Sequence, residues 1–398
     1  MARFYELFAG IGLVREALEP LGWECVYAND FDPKKQAIYS VRHPDHEEFD
    51  SRDLWSVDPA KLPRPVDLIA SSFPCIDLSL AGNRRGLAGE HSGAFWAFTR
   101  VLEQLRKSGD APGAVMIENV TGFLSSNGGE DFRMAVRALN NLGFRLDAVQ
   151  VTAEHFTPQS RPRLFVLGIR EDLAPAAMVL PENSADGEWR RAMLSNPDIR
   201  PRQVREMMLG GQTSLLDGPS GGFLWGVLRF PEMPRRTQDF AEVVDRESSW
   251  WSRERTEKAL SEMAPLHRAR VREMIEKGGR QAATAYRRRR NGKSVYEVRS
   301  DGVAGCLRTA RGGSSTQLVV ATEAGEVRMR RMSPREYARL QGSEYQEELD
   351  SFGEADLRTA FGDAVCVPAV RWVAKHAFDF VRRQTDEREP VGTGESRG

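Results

Sequence analysis

The strongest constraint on the fold is a regular alternation that runs from the first residues to Arg170. Apolar runs at Phe4–Leu7, Glu24–Ala28, Val66–Ala70, Ala114–Ile117, Phe144–Thr152 and Leu164–Ile169 read as strands. Between them Val14, Ala17, Leu18 and Leu21, and later Phe132, Val136, Leu139 and Leu142, recur at helical spacing. Strands that alternate with helices predict an α/β fold: a mostly parallel, Rossmann-like sheet with helices on both faces. In such a sheet the carboxyl ends of the parallel strands share one edge, where ligands bind.

After Arg170 the alternation is lost. Gly210-Gly211, Gly218-Pro219-Ser220-Gly221-Gly222, Pro231 and Pro234 break the chain into short pieces. From Arg253 to Arg299 there are 14 Lys and Arg against 6 Asp and Glu, a surplus of +8. The whole chain sums to −1, so the remainder carries −9. That balance excludes a uniformly basic nucleic-acid packager and marks this stretch, densest at Arg287-Arg288-Arg289-Arg290, as the expected phosphate-facing region. Val370, Val373, Ala374, Ala377 and Val381 predict a last amphipathic helix, with a frayed polar tail after Gln384. No run approaches the ~20 apolar residues of a membrane span. An acid, Glu6, stands where a secretory leader would be apolar. The four cysteines, Cys25, Cys75, Cys306 and Cys366, lie far apart with no CxxC. The chain is therefore expected in the cytoplasm, with reduced thiols and no metal.

The candidate functional residues lie at strand ends. Gly10-Ile11-Gly12 follows the first strand and opens a helix, where glycines let the backbone approach a ligand. Asp30 ends the second strand, and its carboxylate can accept from both hydroxyls of a ribose; Phe31 beside it can lie on an adenine face. Arg15 stands where a dinucleotide fingerprint needs its third glycine, which points away from NAD and towards another nucleoside cofactor. A tight turn with a helix-capping acid would leave the same residues. Cys75 follows Ser71-Ser72-Phe73-Pro74 and precedes a loop with Arg84-Arg85 and several glycines, the placement of a nucleophile under a lid. Out of that context a cysteine is more often a small buried residue, the reading given to Cys25, Cys306 and Cys366. Glu118-Asn119-Val120 ends another strand. A carboxyl isolated at such an apolar end can stay protonated and donate to a ring nitrogen, or it can be a helix N-terminal acid. Arg161 and Arg163 lead into the last strand of the series. One can face the crevice while the other braces the fold or a phosphate; both can equally be solvated edge charges.

Taken in order, these segments resemble the DNA cytosine-5 methyltransferase family in its bacterial or phage form. Phe8-Ala9-Gly10-Ile11-Gly12 looks like the family's cofactor loop, Asn29-Asp30-Phe31-Asp32 like its ribose and adenine site, and Asp53-Leu54 like the motif whose acid meets the adenine amino group. Phe73-Pro74-Cys75 is similar to the catalytic motif, Glu118-Asn119-Val120 to the base-binding motif, and Gln159 through Arg163 to Gln-x-Arg-x-Arg. Arg331-Met332-Ser333-Pro334-Arg335-Glu336 through Gly342 resembles the ninth motif, and Phe361-Gly362-Asp363-Ala364-Val365 the tenth, which returns to the cofactor. Two residues depart from the pattern: Ile76 where the family often has Gln, and Asp363 where it usually has Asn.

The resemblance implies a Rossmann-like S-adenosylmethionine-dependent methyltransferase sheet with a smaller, mixed target-recognition domain. It implies catalytic and cofactor-binding residues over 1–172, target recognition over 173–326, and a hinge with the ninth motif over 327–360. A C-terminal helix over 361–384 would return to the catalytic domain, ahead of a disordered tail over 385–398. Cys75 would attack C6 of a flipped-out cytosine, Glu118 would hold N3 and the exocyclic amine, and Arg163 would hold O2. Arg161 would support the loop, and Pro74 and Asn119 would shape the pocket. Phe8, Gly10, Ile11, Gly12, Asp30, Phe31, Asp53, Leu54, Asp363 and Ala364 would bind S-adenosylmethionine and release S-adenosylhomocysteine. The expected partner is duplex DNA, met by a monomer, with a separate cognate restriction endonuclease as a candidate companion. Three other readings remain at this stage. An RNA (tRNA) cytosine-5 methyltransferase is one, against which the long insert after Arg170 speaks. A catalytically silent DNA-binding relative is another, and an NAD-dependent oxidoreductase fits the first residues alone.

Overall fold

The computed structural model describes residues 1–45, 47–74, 93–181, 187–196, 198–210, 222–245, 248–290, 293–307 and 317–388. Cys75, Ile76 and Arg84-Arg85 lie outside them. The large sheet contains β1 (Ala2–Leu7), β2 (Trp23–Asn29), β3 (Phe49–Asp50), β4 (Leu68–Ser71), β5 (Ala114–Val120), β6 (Phe144–Thr152) and β7 (Pro162–Arg170). A second sheet contains β8 (Gln281–Arg290), β9 (Lys293–Arg299), β10 (Gln317–Glu323) and β11 (Glu326–Arg331). In chain order the helices are α1 (Leu13–Leu18), α2 (Pro33–Arg42), α3 (Gly93–Lys107), α4 (Glu130–Asn141), α5 (Ala174–Ala177), α6 (Glu188–Leu194) and α7 (Arg202–Gly210). They continue with α8 (Phe240–Val243), α9 (Arg253–Ser261), α10 (Pro265–Lys277), α11 (Pro334–Gln341), α12 (Glu354–Asp363) and α13 (Val367–Arg388). Helix α13 continues past Gln384, where the polar composition predicts fraying. No helix of the described residues is long and apolar enough to cross a membrane.

The large sheet has the order β3-β2-β1-β4-β5-β7-β6. β1 to β5 pair in parallel, whereas β7 runs antiparallel to both its neighbours. The strand order reverses direction at β1, which connects to β2 on one side and lies against β4 on the other. The carboxyl ends of β1 and β4 therefore flank the switch-point crevice. Alternation along each strand feeds two apolar layers. Phe4, Leu68, Met116 and Leu167 face the layer formed with α1, α2 and α13. Tyr5, Ile69, Ile117 and Val166 face the layer formed with α3 and α4, extended by Trp189 of α6 and Val204 of α7. Trp225 is buried in that second layer.

The small sheet is antiparallel throughout, in the order β11-β10-β8-β9. Ala283, Ala285, Val298, Val320 and Met329 pack one of its faces onto Ala259 and Met263 of the α9 region and Val271 and Met274 of α10. Two buried ion pairs tie the later segments down. Arg200 binds Asp147 of β6 through Nε at 3.0 Å and a terminal nitrogen at 2.6 Å. Arg330 of β11 binds Glu336 of α11 at 2.6 and 2.7 Å.

Candidate active site

The loop after β1 is shaped by positive φ at Phe8 (59°), Gly10 (59°) and Gly12 (79°). A Cβ added at Gly10 would meet nothing within 4 Å, so its backbone borders open space. A Cβ at Gly12 would overlap the His43 and Tyr39 rings, so only glycine fits there. Ile11 points the other way, into the apolar layer beneath α1. Beneath the loop lies Glu6, whose carboxylate accepts the Val14 and Arg15 amides at 3.1 Å each and so caps α1 from the preceding strand. Complete burial pushes its pKa up to about 8.

Asp30 is nearly buried and binds this loop directly. One carboxylate oxygen accepts the Gly10 amide at 2.9 Å, and the other accepts the Asp32 amide at 3.0 Å. Next to it the Phe31 ring is 62% exposed, an unusual state for so large an apolar group. Asp53 accepts the Trp55 amide at 2.8 Å, closing a turn that holds Leu54 in the core. Asp363 ends α12 and lies 3.6 Å from Lys35 in the first turn of α2. Lys34 pairs with Asp356 at 2.7 Å. These two pairs bring the tenth-motif segment, with Ala364, against the Asp30-Phe31 edge. They also give the departing Asp363 a cationic neighbour.

The second half of the crevice is built where β4, β5 and β7 meet. Phe73 is wedged between the Phe95 and Phe123 rings, with centroids 5.7 and 5.9 Å away. Asn119 donates to the Phe73 carbonyl at 3.4 Å and accepts the Val120 amide at 2.8 Å. It thereby fixes the chain just ahead of Pro74, the last described residue before Cys75. Because β7 is antiparallel, Arg163 stands opposite Val120 at its start and not at a remote end. Its Nε lies 3.0 Å from Oε1 of Glu118. That oxygen is buried and takes part in no hydrogen bond among the described residues. The sequence suggested a carboxyl isolated at an apolar strand end; the structure instead sets Glu118 against a guanidinium.

Arg161 turns inward and braces the fold. It lies just before β7, 2% exposed, and donates to the carbonyls of Leu307 (3.0 Å), Gly362 (3.1 Å) and Ala364 (2.6 Å). It is a positioning residue that joins the start of β7, the segment after the small sheet's β9, and the end of α12. Gln159 works beside it, donating to the Leu340 carbonyl at 2.8 Å and accepting the Leu307 amide at 3.3 Å. Gln341 donates to the Phe361 carbonyl at 2.7 Å and the Ala364 carbonyl at 3.0 Å. The sequence reading assigned no role to Glu6, Lys35 or Gln341. For Glu6 a signal existed: an acid inside an apolar strand needs a buried partner.

A family model described as C-5 cytosine-specific DNA methylase matches residues 2–379. Type II methyltransferase M.HhaI of Haemophilus parahaemolyticus is 30% identical over 172 residues, covering 43% of this chain and 50% of that protein, so the match spans half of its length. Orphan methyltransferase M.SPBetaI of Bacillus phage SPbeta is 25% identical over 387 residues, covering 87% of this chain and 79% of that protein. Among solved structures, the S. pombe Dnmt2 methyltransferase shares the fold with a TM-score of 0.55 at 17% identity, covering 95% of this chain and 99% of that one.

Proposed function

Since the chain belongs to the C-5 cytosine-specific DNA methylase family, we propose that it methylates C5 of a cytosine flipped out of a specific duplex DNA sequence, through attack of Cys75 on C6. The observation that carries this reading is the convergence at one edge of Phe73-Pro74, of a buried Glu118 oxygen without a hydrogen bond, and of Arg163 3.0 Å from it.

Cytosine C5 is a weak nucleophile. A thiolate added at C6 turns the ring into an enamine and activates C5, splitting one difficult step into easier ones. Glu118 holds N3 and the exocyclic amine, with the carboxylate that Arg163 faces at 3.0 Å. Arg163 holds O2 and draws electron density from the ring. Asn119 keeps the chain before Pro74 and Cys75 in register with both. S-adenosylmethionine supplies an electrophilic methyl group when bound. The residues present fit such a nucleoside: open space at Gly10, a carboxylate at Asp30 and an exposed ring at Phe31. Phe8, Gly12, Asp53, Asp363 and Ala364 frame that pocket, and Ile11 and Leu54 pack the apolar layers that support it. Once C5 is methylated, its proton leaves and Cys75 is expelled.

Extrusion of the base costs a few kcal/mol, which contacts from the basic 253–299 stretch to phosphate offset. On this reading residues 1–172 carry the chemistry, 173–326 read the target and 327–360 form the hinge. The protein acts as a monomer on bacterial or phage DNA in the cytoplasm. Its relatives include both type II and orphan methyltransferases, so a cognate endonuclease is a matter for genomic context.

The test is a duplex carrying 5-fluorocytosine, in which fluorine cannot leave as the proton does. Wild type should give a denaturant-resistant adduct, and Cys75→Ala none. An adduct with Cys75→Ala removes this assignment. Labelled S-adenosylmethionine incubated with duplex DNA or with tRNA separates the DNA reading from the RNA reading.

A further inference from the structure

Within the basic run, the pleat of β8 puts Arg287 and Arg288 on opposite faces. Ala283 and Ala285 lie on the face packed against α10. Arg287, paired in register with Tyr296, continues that face. Thr284, Tyr286 and Arg288 alternate onto the opposite face. This opposite face is the one that meets the large domain. Thr284 Oγ1 donates to the Val303 carbonyl at 3.5 Å. The adjacent Ala304 then bonds both ways with the chain ahead of β7, its amide to the Pro158 carbonyl at 2.7 Å and its carbonyl from the Ser160 amide at 2.8 Å. That chain leads directly into Arg161 and Arg163.

On this face Arg288 is held in a defined plane. Its guanidinium carbon lies 4.7 Å from the centroid of the Tyr286 ring. Its Nε lies 3.3 Å from Glu297 on β9, the register partner of Tyr286. The Glu297 side chain is only 10% exposed, whereas that of Arg288 is 55% exposed. A phosphate anchor gains from a free positive charge. Here the carboxylate neutralises the cation and would repel a phosphate oxygen brought against it. What remains available is the outer edge of a planar fork whose orientation is fixed by the ring, by a 3.5 Å bond from one terminal nitrogen to the Tyr286 hydroxyl and by the ion pair at Nε. Two side-by-side acceptors fit such an edge, and in the major groove O6 and N7 of guanine supply them.

We infer that Arg288, oriented by Tyr286 and Glu297, reads a guanine of the target sequence and not the DNA backbone. The inference rests on the DNA methyltransferase reading above and adds to it a residue that sets sequence choice. It also separates Arg288 from the phosphate role that charge counting gave the whole 253–299 stretch.

Bisulfite sequencing of DNA treated with wild type gives the methylated sequence. kcat/KM is then compared between that duplex and duplexes with each guanine replaced in turn. Wild type should prefer guanine at one position by about 5- to 150-fold. Arg288→Gln and Arg288→Lys should both lose that preference while the salt dependence of binding stays the same, since Lys keeps the charge but not the fork. Glu297→Gln should weaken the preference at the same position. Arg287→Gln should leave the methylated sequence as in wild type. If Arg288→Lys kept the preference while Arg288→Gln weakened all duplexes alike and shallowed the log–log salt slope by about 0.9, Arg288 would be a phosphate contact. An Arg288→Gln enzyme with unchanged sequence preference would equally overturn the inference. Failure of wild type to methylate any duplex would remove the functional reading instead. Selection of bound duplexes from a random pool by wild type and Arg288→Gln would then still decide whether Arg288 sets sequence preference.

Discussion

Glu336→Gln measures what holds the small sheet to the hinge. The Glu336 carboxylate accepts four hydrogen bonds: two from Arg330 at 2.6 and 2.7 Å, one from the Ser333 amide at 2.7 Å and one from the Asp245 amide at 2.8 Å. The two side chains are 2% and 0% exposed. Glutamine keeps one oxygen and turns an NH2 group towards groups that are themselves donors. The Arg330 guanidinium then stays buried and uncompensated in charge, with one amide oxygen and the Asp245 and Arg331 carbonyls to receive it. Breaking one side of a buried ion pair costs about 3–5 kcal/mol. Urea unfolding should show that loss as a lower midpoint with an unchanged m-value. Tryptophan fluorescence is a local probe, because the Trp250 ring lies 4.7 Å from the Arg330 guanidinium. Far-UV circular dichroism should give the same midpoint if the transition is two-state. The double variant Arg330→Met, Glu336→Met removes both charges and should recover most of the loss, apart from about 1 kcal/mol for the helix cap. A shift below about 1 kcal/mol for Glu336→Gln, or a double variant weaker than the single one, would refute this account.

Asp30→Ala should weaken S-adenosylmethionine binding by about 1.5–3 kcal/mol by calorimetry, since it removes an acceptor for the ligand and the clamp on Gly10; unchanged affinity would contradict the assigned role. Glu6, pushed up to about 8 by burial, stays protonated in the fold over a range where the unfolded chain has already lost the proton. Wild-type stability should therefore fall as pH rises from the ordinary carboxylate range to about 8 and level off above it, by no more than about 5 kcal/mol. A Glu6→Gln variant with a parallel profile of midpoint against pH would show that Glu6 is not the cause. Gly12→Ala should destabilise the fold and abolish cofactor binding together, because φ is +79° and the Cβ would overlap His43; thermal melting with and without cofactor checks both.

Much of the large sheet was legible because its strands are short, apolar and bounded by polar loops. What the runs did not carry was direction. Leu164–Ile169 looks the same read either way, and only pairing shows that β7 is reversed, which is what brings Arg163 to the edge shared with Glu118. The opposite limitation applied to Arg287–Arg290: composition counts charges but does not say which face of a pleat each one occupies. Arg161 was found by its motif and expected to support the loop, but its partners, the carbonyls of Leu307, Gly362 and Ala364, lie too far along the chain to be read from its sequence neighbourhood. Asp30 was found by spacing, but its bond to Gly10 shows that it also shapes the loop it was expected only to flank.

The packing of α13 on α1 has a consequence for biosynthesis. Arg371 donates to the carbonyls of Glu16 and Ala17 at the end of α1, across a separation of 355 residues for the first of these. At about 5–20 residues per second, ribosomal synthesis leaves the apolar side of α1 without this cover for roughly 20–70 s. The cofactor-side layer of the sheet is therefore finished last, after the small sheet has been made. A polypeptide still being translated exposes Val14, Ala17 and Leu18 without Val370, Val373 and Ala377 against them. Such a face invites association with other chains or with a chaperone. A chain that stops short of Val370 therefore lacks the cover that α1 has in the finished fold.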